Sequence, residues 1–306
     1  VQVIGNKNAK QVVEEILNEK TENFQAKTNF SLEPVFNKQE YLLKLNQIKA
    51  HIQRGYCYEI NFCQQFIAHN AGIDAIATFH KLNSVSPNPF ASLYKLNKKY
   101  CIAASPERFL KKTGNQLISQ PIKGTAKRNA QNCVLDNQNK TALSDSQKER
   151  SENVMVVDLV RNDLSRVCKA GSVTVKELCG IYAFPQVFQM ISTIQGELPA
   201  DIHWADAIKV CFPMGSMTGA PKKRVMELID QYEEIGRGLF SGSIGYITPQ
   251  SNFDFNVVIR SIFYDEENQK LSYAAGGGIT FNSIAENEYE ESLLKAAAIK
   301  QVLENQ

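Results

Sequence analysis

Short stretches with the alternating polarity of strands recur through most of this chain, and tight turns join them. Residues 90–94 and 100–104 form one such pair, with Asn97, Lys98 and Lys99 as the turn between them. Segments with helical spacing of apolar residues, such as 38–53, fall between and after these stretches without a regular order. The sequence therefore predicts an α+β fold with antiparallel strand pairing, rather than a series of parallel βαβ units.

Two long segments carry weaker patterns. Residues 129–143 are rich in Asn and Gln, a composition that predicts a loop. Residues 253–264 predict a strand that pairs as a hairpin with a strand over 239–248. That hairpin would place Arg260 in mid-strand among apolar residues, where an arginine needs an anionic partner because burying an unpaired charge is costly.

Local signals also predict where helices begin and which way one strand faces. Thr218 precedes a helical pattern as an N-cap residue does, and Ser283 with Glu286 forms a capping box ahead of the last helix. Glu59 and Asn61 are two residues apart in a predicted strand. Because side chains alternate along a strand, both should lie on the same face.

Composition excludes several classes of protein. A net charge of +2 over 306 residues gives no basic surface of the kind that binds nucleic acid. No apolar run has membrane-spanning length, and the first residues lack a signal-peptide layout. The seven cysteines are scattered without a C-x-x-C motif, which predicts reduced thiols in a cytoplasmic protein. The four histidines are scattered as well, so any metal is expected to be a hard cation held by carboxylates.

Two residues stand out as candidates for catalysis. Lys123 lies between a Pro-Ile step and a Gly-Thr step, where the backbone is constrained and can approach a ligand closely. A lysine held in this way can pair with an anion or, with a lowered pKa, act as an amine nucleophile. Glu107 follows a predicted strand directly. Taken singly, Lys123 is better explained as a surface lysine in a turn, and Glu107 as a surface pair with Arg108.

Two predicted helices each carry glutamates three residues apart, Glu149 with Glu152 and Glu288 with Glu291. Such a spacing places both carboxylates of a pair on one helix face. Each pair could be solvated, but four facing carboxylates would repel unless a divalent cation such as Mg²⁺ lay among them. The residues that could then hold substrate carboxylates are Arg260, Lys295, Gly124, Thr125, Gly276, Gly277 and Gly278.

A series of motifs resembles the chorismate-utilising enzyme family, in the order in which its members carry them. They are SPERF at 105–109, PIKGT at 121–125, Glu152 with VDLxRND at 157–163, GAPK at 219–222, GSIGY at 242–246, IRS at 259–261, GGG at 276–278 and EYxE at 288–291. The resemblance covers roughly residues 38–303. It implies one large domain in which two antiparallel sheets pack face to face with helices outside. We accordingly expect a short N-terminal extension over 1–37 and a catalytic domain over 38–306.

Two positions distinguish branches within this family. Members that make anthranilate typically have alanine after the Pro-Ile step, whereas those that aminate chorismate at C4 have lysine, as here at Lys123. Isochorismate and salicylate synthases place their water-activating lysine where this chain has Glu59. The resemblance therefore implies the branch that makes 4-amino-4-deoxychorismate for p-aminobenzoate and folate. An anthranilate-forming enzyme and an inactive binding subunit are the alternatives.

The resemblance also implies roles for the candidate residues. Lys123 would add to C2 of chorismate while Glu107 protonates the leaving C4 hydroxyl. Mg²⁺ would be held by Glu152 and Glu291, with Glu149 and Glu288 in support. Ammonia would come from a glutamine amidotransferase partner. Two positions depart from the family pattern: Gln189 replaces a common histidine, and Phe240 replaces a tyrosine of the anthranilate-forming members.

Overall fold

The structure is a computed structural model that describes residues 8–18, 30–129 and 131–304. In these ranges the helices are α1 (Ala9–Asn18), α2 (Lys38–Gln53), α3 (Ala75–Val85), α4 (Cys133–Asp145), α5 (Gln147–Ser165), α6 (Trp204–Cys211), α7 (Lys222–Tyr232) and α8 (Ala285–Glu304). The strands are β1 (Glu33–Pro34), β2 (Glu59–Ala68), β3 (Phe90–Leu96), β4 (Lys99–Ser105), β5 (Arg108–Thr113), β6 (Gln116–Gln120), β7 (Ile122–Lys127), β8 (Thr174–Ala183), β9 (Val187–Glu197), β10 (Gly219–Ala220), β11 (Gly245–Ile247), β12 (Phe253–Asn256), β13 (Ser261–Asp265) and β14 (Lys270–Thr280).

The strands form two seven-stranded sheets in which every pairing is antiparallel. The first sheet has the order β1-β2-β14-β13-β4-β3, with β10 also paired to β2. The second has the order β11-β12-β5-β6-β9-β7, with β8 also paired to β9. One apolar cluster joins Cys63 and Ala274 of the first sheet to Leu110, Leu117 and Ile194 of the second. The predicted α+β class, with two antiparallel sheets face to face, is confirmed.

Helices cover the outer face of the first sheet. Leu82 of α3 and Ile299 of α8 pack against Ile102 and Leu271. Nearer the other end of β2, Ile60 and Phe62 pack against α2 and α7. Since side chains alternate along a strand, Glu59 and Asn61 point to the opposite face, toward the second sheet. Both are buried, which confirms the prediction that they share a face.

Two segments differ from their sequence predictions because buried contacts and capping outweigh composition. Most of the predicted loop over 129–143 is helix α4, whose N-cap Asn132 accepts hydrogen bonds from the amides of Val134 and Leu135. Leu143 anchors this helix by packing on Phe188 and Met190. Lys123, which taken alone could have been a surface lysine in a turn, lies within strand β7.

The predicted hairpin over 239–264 holds only where β11 pairs with β12, since residues 239–244 lie outside any strand and the predicted strand over 253–264 is interrupted. Strand β12 belongs to the second sheet and β13 to the first, so the chain crosses from one sheet to the other between them. Arg260 lies at this crossing with a φ of 51°, a left-handed conformation, and not in a strand. The local apolar pattern could not distinguish one long strand from two short ones in different sheets.

The predicted helix caps are also corrected. The Thr218 hydroxyl donates to the carbonyl of Met214 at 3.0 Å, and α7 starts only after Pro221, which makes no side-chain cap bond. The Ser283 hydroxyl donates to Glu288 Oε1 at 2.7 Å and accepts from the amide of Thr280. The Thr218 hydroxyl is therefore bonded to a nearby carbonyl, and the Ser283 hydroxyl to a side-chain carboxylate. Neither hydroxyl caps the amides of the helix that follows it.

Candidate active site

An ion pair between the two sheets lies at the centre of the candidate site. Nζ of Lys123 on β7 lies 2.5 Å from Oε1 of Glu59 on β2, and their side chains are only 11% and 1% exposed. Burial lowers the pKa of Lys123, but the charges of Glu59 and Glu152 outweigh it and hold this pKa above its usual range. Lys123 is therefore an ammonium in the substrate-free site.

A bulge in β7 directs Lys123 to this position. The pairing of β7 with β9 shifts between Ile122 and Thr125, and Gly124 within the bulge has a φ of +97°. A Cβ at Gly124 would also lie 3.0 Å from Oε2 of Glu149, so a side chain there would be both strained and crowded. The Asn153 amide holds the segment by donating to the carbonyl of Lys123 at 3.4 Å.

Glu107 lies at the junction of β4 and β5 and is only 4% exposed. Burial raises its pKa to about 7, although a hydrogen bond from Ser216 and the charge of Lys123 oppose the shift. The Ser216 hydroxyl donates to Glu107 Oε1 at 2.6 Å. A carboxyl group with this pKa can carry a transferable proton near neutral pH, as a general acid must. Ser216 was not predicted, since nothing local links it to Glu107.

The glutamate-bearing faces of α5 and α8 lie close together. Nζ of Lys148 lies 3.9 Å from Oε1 of both Glu152 and Glu288 and so bridges the two helices. Burial raises the pKa of Glu152 to about 7, with Glu59 and Glu149 adding to the shift. Burial also raises the pKa of Glu149. Carboxylates of raised pKa gain from a nearby cation, because it stabilises their charged form.

Glu291 differs from the other three glutamates. It is about half exposed, and its Oε1 pairs with Nζ of Lys295 at 2.8 Å. Burial would raise the pKa of Glu291, but Lys295 and Lys148 lower it below its usual range. This carboxylate is therefore ionised and accessible, and an entering metal would have to compete with Lys295 for it.

The donor chemistry of these acidic residues fits Mg²⁺, which prefers carboxylate oxygens. Among the residues that the structure describes, no preformed group of three or more Asp, Glu, His or Cys side chains could hold a metal. Mg²⁺, however, usually takes one or two carboxylates and completes its coordination with water and substrate oxygens. Oε1 of Glu152 is buried and has no hydrogen-bond partner among these residues, as expected for an oxygen that a cation could satisfy. The metal remains a prediction.

The glycines of β14 line the site from the first sheet. A Cβ at Gly278 would lie 2.5 Å from Glu59 Oε1 and 2.7 Å from Lys123 Nζ. A Cβ at Gly277 would lie 3.4 Å from Glu288 Oε2 and Lys295 Nζ, and Lys295 donates to the carbonyl of Gly276 at 3.2 Å. Because glycine has no side chain, these positions leave room for the charged groups and for a ligand.

Replacing Gly278 with alanine should displace the central ion pair, because its two facing atoms are flexible side-chain ends. We expect Gly278→Ala to fold normally and to lower turnover about 100-fold, since small displacements of reacting groups have effects of this size. Gly277→Ala is the matched variant, and its 3.4 Å contacts predict a loss below about tenfold. Steady-state kinetics of both purified variants would check this, and equal losses would contradict it.

Arg260 is a cation with no partner of its own. Its side chain makes no hydrogen bond or ion pair with the described residues, and burial lowers its pKa although the charge of Glu107 opposes the shift. A partly buried, unpaired guanidinium favours an anionic ligand such as a carboxylate. Thr125, by contrast, is exposed at the end of the bulge.

Gln189 and Phe240, the two positions that depart from the family pattern, differ in whether they can make a polar contact with a ligand. Gln189 pairs in register with Thr125 and is fully buried, yet within 8–18, 30–129 and 131–304 neither its Oε1 nor its Nε2 has a hydrogen-bond partner. Leaving a buried amide unsatisfied costs free energy, which a polar ligand group could recover. Phe240 is buried in the apolar core near the guanidinium of Arg237 and offers no polar contact.

Known proteins are similar to this chain over most of its length. The family model described as chorismate binding enzyme matches residues 4–301. Aminodeoxychorismate synthase component 1 of Klebsiella aerogenes is 39% identical, over 88% of this chain and 59% of that protein. The protein of the same name from Escherichia coli is 38% identical, over 87% of this chain and 58% of that protein. This chain thus spans about three-fifths of the length of these curated relatives.

A solved structure has the same fold. Anthranilate synthase component I of Streptococcus pneumoniae superposes with a TM-score of 0.83 and 28% sequence identity. The superposition covers 96% of this chain and 64% of that one. The two-sheet architecture of this chain is therefore shared by a relative that is named as an anthranilate synthase component.

Proposed function

This chain belongs to the family of chorismate binding enzymes, and from that premise we propose that it converts chorismate and ammonia into 4-amino-4-deoxychorismate. The observation that carries the proposal is the placement of Lys123 in one buried site with Glu107. Relatives named aminodeoxychorismate synthase component 1 support this reaction. Its product would serve the p-aminobenzoate branch of folate biosynthesis.

Chorismate carries two carboxylates, and the site offers separate cationic and backbone groups for them. The Arg260 guanidinium, which has no partner among the residues that the structure describes, would bind one carboxylate. Gly124, Thr125 and the backbone of Gly276, Gly277 and Gly278 would contact the substrate where no side chain intervenes. Lys295 lies close enough to this strand to contribute charge. Mg²⁺, when bound through Glu152 and Glu291 with Glu149 and Glu288 nearby, would neutralise the ring carboxylate.

The first half of the reaction exchanges the C4 hydroxyl for a bond to the enzyme. The lone pair of Lys123 Nζ forms a bond to C2, the two ring double bonds each shift by one position, and the C4–O bond breaks. Glu107 donates its proton to the departing hydroxyl, which leaves as water. Covalent catalysis of this kind replaces one difficult substitution by two easier ones.

The second half reverses the shift of the double bonds. The lone pair of ammonia forms a bond to C4, the C2–N bond breaks, and Lys123 is released. The surplus proton on the new amine returns to the Glu107 carboxylate, so the enzyme ends the cycle as it began. We propose that a glutamine amidotransferase subunit supplies the ammonia in the cell.

The identity of the product tests the proposal. The chain, incubated with chorismate, Mg²⁺ and isotopically labelled ammonium, should yield 4-amino-4-deoxychorismate with the label at C4, as identified by mass spectrometry. Anthranilate as the product would instead indicate an anthranilate synthase, which is the name of the solved relative from Streptococcus pneumoniae. Isochorismate, salicylate, or no turnover with an amidotransferase present would also contradict the proposal.

A further inference from the structure

The proton on Lys123 has one recipient in the structure. Nζ donates to Oε1 of Glu59, and no other side chain among the described residues accepts a hydrogen bond from it. Other titratable groups face Lys123 at longer range and influence its charge; they are Cys63 on β2, Glu107 after β4, Glu149 and Glu152 on α5, and Glu291 on α8. An amine nucleophile must lose a proton before it reacts, so the identity of the recipient matters.

The environment of Glu59 suits it to accept that proton. Its side chain is 1% exposed, and β2 is flanked at this residue by Ala220 of β10 and Thr280 of β14. Oε1 faces Lys123, whereas Oε2 is buried and has no hydrogen-bond partner in the part of the chain that the structure describes. The carboxylate therefore has an unused lone pair, and solvent does not reach it to compete for the proton.

We propose that Glu59 is the positioning residue of Lys123 and accepts its proton, holding Nζ as an ammonium before substrate binds and taking one proton as Nζ bonds to C2. The second part of this proposal, the proton transfer as Nζ bonds to C2, rests on the proposed function. In that step the N–H bond electrons remain on Nζ as the attacking pair, and the proton moves to a Glu59 oxygen. When ammonia adds at C4 and the C2–N bond breaks, the same proton returns to Nζ.

The first experiment uses the enzyme without substrate. Each lysine is acetylated with trace acetic anhydride across a range of pH, and the Lys123 peptide is quantified by mass spectrometry. Glu59→Gln removes the neighbouring negative charge and should shift the midpoint for Lys123 labelling down by about 1–3 pH units. Glu290→Gln is the matched control, because it removes an exposed carboxylate that pairs with Lys38. An unchanged midpoint in Glu59→Gln would overturn the proposal.

The second experiment compares the pH dependence of kcat/KM at saturating Mg²⁺. In the native enzyme the Lys123 proton moves within the ion pair, so kcat/KM should be flat between about pH 5.5 and 6.5. In Glu59→Gln the amine must form by losing its proton to solvent, so kcat/KM should rise about tenfold per pH unit over that interval. Glu59→Asp keeps a carboxylate and should keep the flat profile at a lower rate. A flat profile in Glu59→Gln would overturn the proton-acceptor role.

These experiments separate the two proposals. The labelling shift between Glu59→Gln and the native enzyme is measured without substrate, so it holds whatever reaction the chain catalyses. If the product assay yields anthranilate and the labelling midpoint still shifts, the proposed function fails and the positioning role of Glu59 stands. If the product is 4-amino-4-deoxychorismate and neither the midpoint nor the profile changes, the function stands and the role of Glu59 is wrong.

Discussion

Lys123→Ala is expected to lower kcat/KM for 4-amino-4-deoxychorismate by about 1,000-fold or more. The variant lacks the amine that forms the bond to C2, and loss of a covalent nucleophile has effects of at least this size. Steady-state kinetics with chorismate and ammonium would measure it. Formation of the product at an unimpaired rate would show that Lys123 is not the nucleophile.

Lys123→Ala has a second consequence that must be kept apart from catalysis. It leaves the Glu59 carboxylate buried and unpaired, which should lower the free energy of unfolding by about 3–5 kcal/mol. The double variant Lys123→Met with Glu59→Gln removes both charges and should recover most of that stability. It should remain as inactive as Lys123→Ala. Activity recovered together with stability would mean that the lysine acts only in folding.

Glu107→Gln is expected to lower kcat about 100- to 10,000-fold, the range found when a general acid is lost. Glutamine can still accept the hydrogen bond from Ser216, so the fold should persist. The native enzyme needs Glu107 protonated, and burial raises its pKa to about 7, so its rate should fall as pH rises through that value.

A pH profile at saturating Mg²⁺ checks this second prediction. The fall near pH 7 should be absent from the residual activity of Glu107→Gln. If the variant shows the same fall at the same pH, another group is responsible for it and Glu107 is not the general acid.

Much of this architecture could be predicted because it depends on local periodicity. The helix predicted over 38–53 coincides with α2, and the burial of Glu59 and Asn61 follows from alternation in β2. The glutamate pairs on α5 and α8 lie on single helix faces, as their spacing required. All seven cysteines are free, and six are buried, as predicted for reduced thiols. Every helix of the described residues is too short or too polar to cross a membrane.

What could not be predicted depends on contacts between distant segments. The partners Lys123 and Glu59 are 64 residues apart and meet only because the two sheets pack together. Ser216 and Glu107 are separated by 109 residues. The left-handed backbone at Arg260 arises where the chain crosses between sheets, which an apolar pattern does not indicate. The domain boundary at residue 37 and the Mg²⁺ site stay predictions.

The most direct test of the central claim is the mass of the protein during turnover. With chorismate and Mg²⁺ but without ammonia, the second half of the reaction cannot proceed, and the enzyme should carry an adduct. We expect intact protein to gain the mass of chorismate less one water, and peptide sequencing to place the adduct on Lys123. No adduct in an enzyme that forms 4-amino-4-deoxychorismate when ammonium is added, or an adduct on a different residue, would contradict the account.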